Sequence, residues 1–240
     1  MGDRRTTSTS KAPNAQPTDI MGPSGGISAD LPLEQQVHCF VTINKEQKGV
    51  SASLYIDLLK HLPPTKSESD LMKERAADLG SSLKLDDQSS YSKIVVTTAP
   101  AAGEISMVNF VRKVTPLIRR DGRLNAFNDE DKKAVLENYY RGLSHVFPAE
   151  YRKNNSVFFK TIGFGALMTA LPTFLDMTIN ERKAFTVEDV ISTFKRIAHF
   201  DFSAWHERGT GTHAENMAAE DLRAELLDAI DTQSGPVKLR

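Results

Sequence analysis

Val157-Phe-Phe-Lys-Thr-Ile-Gly-Phe-Gly-Ala-Leu-Met-Thr-Ala-Leu-Pro-Thr-Phe-Leu175 is the most apolar stretch of the chain, and its reading decides the fold. A helix this apolar has to be covered, either by lipid or by the rest of the protein. Its length alone would permit a membrane span. Lys160 near its start, Gly163 and Gly165 within it, and Pro172 near its end suit a central helix buried by protein.

Working outward, helical spacing continues on both sides. Thr186-x-x-Asp189 starts an amphipathic helix with Val190, Ile191, Phe194 and Ile197, and a last helix runs from about Ala214 to Ile230. Upstream, Asn128-x-x-Asp131 can cap a helix whose Val135, Leu136, Tyr139, Tyr140, Leu143, Val146 and Phe147 form a broad stripe closed by Pro148. Ile105 to Ile118 places Val108, Val111, Val114, Leu117 and Ile118 on one face. Ser67-x-x-Asp70 precedes a helix over Leu71 to Leu83. Nearer the start, Val37, Phe40, Val41 and Asn44 share a face, and Leu54, Tyr55, Leu58, Leu59 and Leu62 make a second stripe that Pro63-Pro64 ends. The best strand is the β-branched run Ile94-Val-Val-Thr-Thr98, which needs a partner. The expected class is mainly α, a helical bundle with a minor β element.

Residues 1–30 are rich in Ser, Thr, Pro and Gly and lack aliphatic periodicity, so they read as a disordered tail before a helical domain over 31–232; 233–240 reads as a second tail. Arg4 and Arg5 are not followed by the apolar segment of a secretory signal. With 40% hydrophobic and 25% charged residues the composition is that of an ordinary globular protein. A formal net charge of −1 excludes a basic surface over the whole chain, so any nucleic-acid contact must be local. Cys39 is the only cysteine, which rules out an intramolecular disulfide and a cysteine-based zinc cage and fits a reducing cytosol. Its neighbours Val37, Phe40 and Val41 predict a buried thiol.

Few residue groups invite chemistry. The six histidines are scattered, and no pair has the spacing of a zinc motif, so neither a metal nor a cofactor is read from the sequence. Gly209-Thr-Gly-Thr212 could aim backbone amides at a phosphate, but it lacks a P-loop lysine and reads first as a turn into the last helix. Asp121-Gly-Arg-Leu124 reads as an interhelix turn. Arg112, Lys113, Arg119, Arg120 and Arg123 form the best group for contacting DNA phosphates, with Asp121, Asp129, Glu130 and Asp131 nearby to blunt their field; a solvated helix face is the alternative. Asn44, Gln47, Lys48 and Ser51 make a polar corner between two helices, suited either to an anion or nucleotide contact or simply to helix capping.

That corner, within Phe40-x-x-Ile43-Asn44-x-x-Gln47-Lys48, resembles a signature of the DGQHR-domain family. The resemblance continues through Phe110-Val111, Asn138-Tyr-Tyr-x-x-Leu143, Val146-Phe-Pro148, Lys160-Thr-x-Gly163 and a glycine-rich turn after Trp205. No Asp-Gly-Gln-His-Arg occurs in these residues, so the chain is similar to the C-terminal part of such a protein. The family resembles the ParB and sulfiredoxin-like group, in which an α/β core carries a polar motif and a helix pair closes over the site. Its DndB-like members are associated with DNA modification, and others sit in mobile elements. The resemblance therefore implies DNA binding or transcription regulation, with duplex DNA or a polypeptide carrying the missing half as partner and no membrane. The alternatives are half of a nucleotide-handling or nuclease-like enzyme, completed by a separate DGQHR segment, and a structural protein-interaction scaffold. Catalysis by this chain alone is not expected.

Overall fold

The computed structural model describes residues 31–47, 51–62, 66–92, 94–95, 100–209 and 211–231, with the backbone alone described at 43–47, 94–95 and 230–231. The stretches read above as tails, 1–30 and 233–240, lie outside the described residues. The fold is mainly α, and it is organised around helix α7, Thr161–Arg182. From Ile162 to Leu175 this helix is buried except at Thr169, Pro172 and Thr173. It is long and apolar enough to cross a membrane, yet 67% of its apolar window is buried inside the fold.

Four neighbours cover it. Helix α4 (Met107–Ile118), α8 (Val187–Lys195), α10 (Thr212–Asp231) and the 3-10 turn Val157–Phe159 all pack on α7. Helix α5 (Asp129–Val146) reaches it through Tyr139, whose ring meets Phe174 edge-on at 5.6 Å and whose hydroxyl donates to the Leu167 carbonyl at 3.3 Å. The neighbouring Tyr140 is also fully buried and donates to the Phe158 carbonyl at 3.1 Å. Each aromatic ring thus delivers a large buried area while its one polar atom finds a partner. Burial pushes both phenols well above their ordinary range, so they stay neutral donors.

Local sequence sets where the helices begin. Helix α3 (Glu68–Lys84) is capped by Ser67, α4 by Ser106, α5 by Asn128 and α8 by Thr186, each side chain accepting the N–H three residues on. At Thr186 and Asp189 the bonding is reciprocal, a full capping box. Caps of this kind contribute about 1 kcal/mol each. Asp121-Gly-Arg-Leu124 is indeed an interhelix turn, closed by the Gly122 N–H on the Arg119 carbonyl and the Leu124 N–H on the Leu117 carbonyl.

Several expectations need correction. Ile105 does not open a helix: Ile105–Ser106 is strand β2, which pairs in parallel with β1, Ile94–Val95, and supplies the strand partner that the sequence left unidentified. Residues 96–98 of the predicted strand lie outside the described residues. Glu137 of α5 fixes the approach to β1 by accepting from the Ser89 hydroxyl, the Ser90 N–H and the Ser90 hydroxyl. Helix α1 (Leu33–Gln47) buries Val37 and Val41, but Phe40 is exposed and Cys39 is half-buried, not buried as expected. The reason is thin cover, since α1 packs mainly on the short turn Leu59–His61. Helix α2 (Ala52–Leu58) likewise leaves Leu54 exposed, and Val108 of α4 is only partly covered.

Helices α5 and α8 meet so closely at Gly142 that a Cβ there would lie 2.4 Å from Val190 Cγ1. Gly142→Ala is expected to cost about 1–3 kcal/mol through overpacking. A double-mutant cycle with Val190→Ala, measured by urea denaturation, should show the two losses to be less than additive.

Candidate nucleic-acid interface

The C-terminal half of α4, the turn 119–127, α7 and the start of α10 enclose a cleft of about 790 Å³. Arg112, Lys113, Arg120 and Arg123 line it, with Pro116 and Met168 among its apolar walls. Four of the five basic residues singled out in sequence are therefore brought together. Arg119 is the exception: it does not line the cleft, and it pairs with Asp121 at 2.7 Å.

Arg112 and Lys113 are not a solvated helix face. Both converge on Glu215 in the first turn of α10, whose side chain is wholly buried. Arg112 grips it with two nitrogens, Nη2 to Oε1 at 2.5 Å and Nη1 to Oε2 at 3.0 Å, while Lys113 Nζ lies 2.5 Å from Oε2. Arg112 Nη2 also donates to Asn109 Oδ1 at 2.7 Å, and Lys113 Nζ reaches Thr169 Oγ1 at 3.5 Å. Burial pushes the Glu215 carboxyl up, but Arg112 and Lys113 more than offset this and hold it below the usual carboxylate range. Its position at a helix N-terminus also favours the anion.

Gly165 makes this geometry possible. A Cβ there would stand 2.5 Å from Glu215 Cδ, so any side chain on that face of α7 would displace the carboxylate. Arg223 of α10 closes the same helix contact by donating to the Thr169 carbonyl. It does so one turn from Pro172, which has no N–H to give the Met168 carbonyl.

The electrostatic balance is modest and local. Glu215 offsets one of its two cations, Arg123 pairs with Asp176, and Arg120 is exposed with no ion pair among the described residues. Asp121 also lines the cleft but is paired with Arg119, so the positive charge of the wall stands at the Arg112–Lys113–Glu215 triad and at Arg120, while the whole chain stands at −1.

Other sequence-derived sites fare differently. The side chains of Asn44 and Gln47 and all of Lys48 lie outside the described residues; Ser51 caps α2 by accepting the Leu54 N–H at 3.3 Å. In the Asn138-Tyr-Tyr segment, Asn138 donates to the Phe185 carbonyl and the two tyrosines bond backbone as described, so these side chains serve packing. Gly163 does the same, since a Cβ there would collide with the Val157 carbonyl. Of the 209–212 stretch, Thr210 lies outside the described residues; Gly211, at φ +118°, leads into α10, and an acidic residue, Glu215, occupies the first turn that a phosphate would need. Among the described residues no group of three or more His, Cys, Asp or Glu side chains could hold a metal.

Glu215 itself was absent from the sequence reading. Its only local signal is a carboxylate in the first turn of a helix, a common arrangement on solvated helices. Comparison of the chain with protein-family models, with curated proteins and with solved structures finds no match.

Glu215→Gln would leave the nearly buried Lys113 ammonium beside Arg112 without a counter-charge, and it is expected to cost about 3–5 kcal/mol. The folded-state pKa of Glu215 is depressed, so its contribution is present above the ordinary carboxylate range, about pH 4, and is lost as the pH falls through the folded value. Urea titrations at neutral pH and below about pH 4 should show the gap between wild type and Glu215→Gln narrowing on acidification.

Proposed function

We propose that this protein is a cytosolic DNA-associated binding or regulatory protein that contacts phosphates through the cleft between α4, α7 and α10. The observation that carries the reading is the convergence of Arg112, Lys113, Arg120 and Arg123 on one concave surface of a chain whose net charge is slightly negative. Lys and Arg held in this way neutralise phosphates without reading base sequence. The two inner cations are fixed in direction by Glu215, while Arg120 and Arg123 stand at the exposed end. Such an arrangement lowers the ordering entropy lost when phosphate binds. The DGQHR-like motifs of the sequence support the same reading, because the regulatory role implied for DndB-like members is DNA binding.

The test is the salt dependence of binding to duplex DNA. Affinity should fall with rising salt, with a log–log slope of about 0.9 per phosphate neutralised. Arg120→Ala and Arg123→Ala should each weaken binding and lower that slope by about 1. Arg119→Ala, outside the cleft, should do less than either. Binding that is indifferent to salt and to all three substitutions would remove the proposal.

A further inference from the structure

We propose that a second cavity, at the start of α7, binds a terminal phosphate group, independently of the cleft and of the DNA-binding reading. The cavity measures about 520 Å³, within the range of small-ligand sites. Lys160, the residue before α7, lines it together with His206 of α9 (Ser203–Glu207) and Arg208 just beyond α9. Asn109 and Thr161 add polar groups to the wall; the Asn109 carbonyl oxygen already accepts from Arg112, which leaves its amide N–H groups. Glu104 is the one acidic side chain lining the cavity among the described residues, and its carboxylate accepts the Ala101 N–H at 2.7 Å.

One cation of this cavity, Lys160, lacks a carboxylate partner among the described residues. Its neighbour is His206 Nδ1 at 3.1 Å. An ammonium only donates, so Nδ1 accepts, and His206 keeps its proton on Nε2, which faces Glu150 Oε1 at 3.4 Å. Lys160 is thus a cation whose hydrogen bond goes to a ring nitrogen and not to a carboxylate. Arg208 Nη2 is held by Asp221 at 2.5 Å, but Nη1 is buried with no hydrogen-bond partner. Lys160 thus lacks the counter-charge that Asp221 supplies to Arg208, and an anion in the cavity would provide it.

The backbone adds to this field. Helix α7 runs for 22 residues, takes no side-chain cap from Lys160 and has no acidic residue in its first turn. Its first-turn N–H groups therefore lack an intrahelical or capping acceptor. A phosphate monoester suits the set best: it is close to doubly charged near neutral pH and presents three acceptor oxygens. Those oxygens match an ammonium, a guanidinium and the helix amides. The cavity exceeds a bare phosphate, so the body of the ligand would lie against Phe159 and Ile162, which also line it.

The experiment is isothermal titration of the full-length chain with inorganic phosphate, at constant ionic strength and with chloride as control. Saturable binding is expected, weakened about tenfold or more by Lys160→Ala and by Arg208→Lys, as loss of a charge-assisted hydrogen bond predicts. Arg120→Ala and Arg123→Ala should retain the phosphate binding that Lys160→Ala removes, which separates this site from the cleft. Lys160→Gln, checked with Lys160→Ala for an unaltered thermal melt, guards against an effect of folding. A short oligonucleotide with a terminal phosphate is then compared with its hydroxyl-ended twin. Preference for the phosphorylated strand assigns the phosphate to a nucleic-acid end; phosphate binding without that preference assigns it to a small phosphorylated compound. No saturable binding of inorganic phosphate, binding that survives both Lys160 substitutions, or binding that disappears with Arg120 and Arg123 would each overturn the proposal.

Discussion

The constraint on which the rest of this structure depends is the need to cover α7. A helix buried along most of four turns cannot present a solvated face, so every neighbour must offer it an apolar surface. That requirement places α4, α8 and α10 around it and draws the rings of Tyr139, Phe174 and Phe194 into a single cluster with α5. The closeness of the packing is visible at Gly142 and Gly165, where even a methyl group would collide with a neighbouring side chain.

Covering α7 with α10 has an electrostatic consequence. It carries Glu215 into the interior, where an isolated carboxylate would be costly, and the cost is met by Arg112 and Lys113 reaching in from α4. Two cations that could have pointed to solvent become fixed walls of a cleft. The stretches of α4 and α7 that line this cleft both contain proline, Pro116 near the end of α4 and Pro172 in the middle of α7, so each helix there lacks one backbone donor. At the start of α7 the charges are distributed differently: Lys160 has no carboxylate partner among the described residues and gives the helix no side-chain cap. One helix therefore has cations beside its middle, where a buried acid holds two of them, and a cation without a carboxylate partner at its start.

Periodicity and caps made most of the helices legible, because these are local properties. Ser67, Asn128 and Thr186 start helices where a short polar side chain three residues before a matching N–H says they should. Ser106 was missed as a cap because Ile105, Val108 and Val111 extend the apolar pattern across it, and the pattern does not show that Ile105 pairs with Ile94. Cys39 was misjudged for a related reason: apolar neighbours on a helix predict a face, but only the amount of protein opposite that face decides burial.

The sequence by itself determined a mainly α chain with one long apolar helix, the positions of the principal caps, and a local excess of Arg and Lys between residues 112 and 123. Tertiary structure alone decided what those cations do. Arg112 and Lys113 meet a carboxylate 103 residues away along the chain from Arg112, Arg119 pairs with Asp121 without lining the cleft, and Lys160 meets His206 across 46 residues. Charge density is a property of composition, whereas the neutralisation of a given charge depends on which distant group the packing of α4, α7 and α10 brings within about 3 Å.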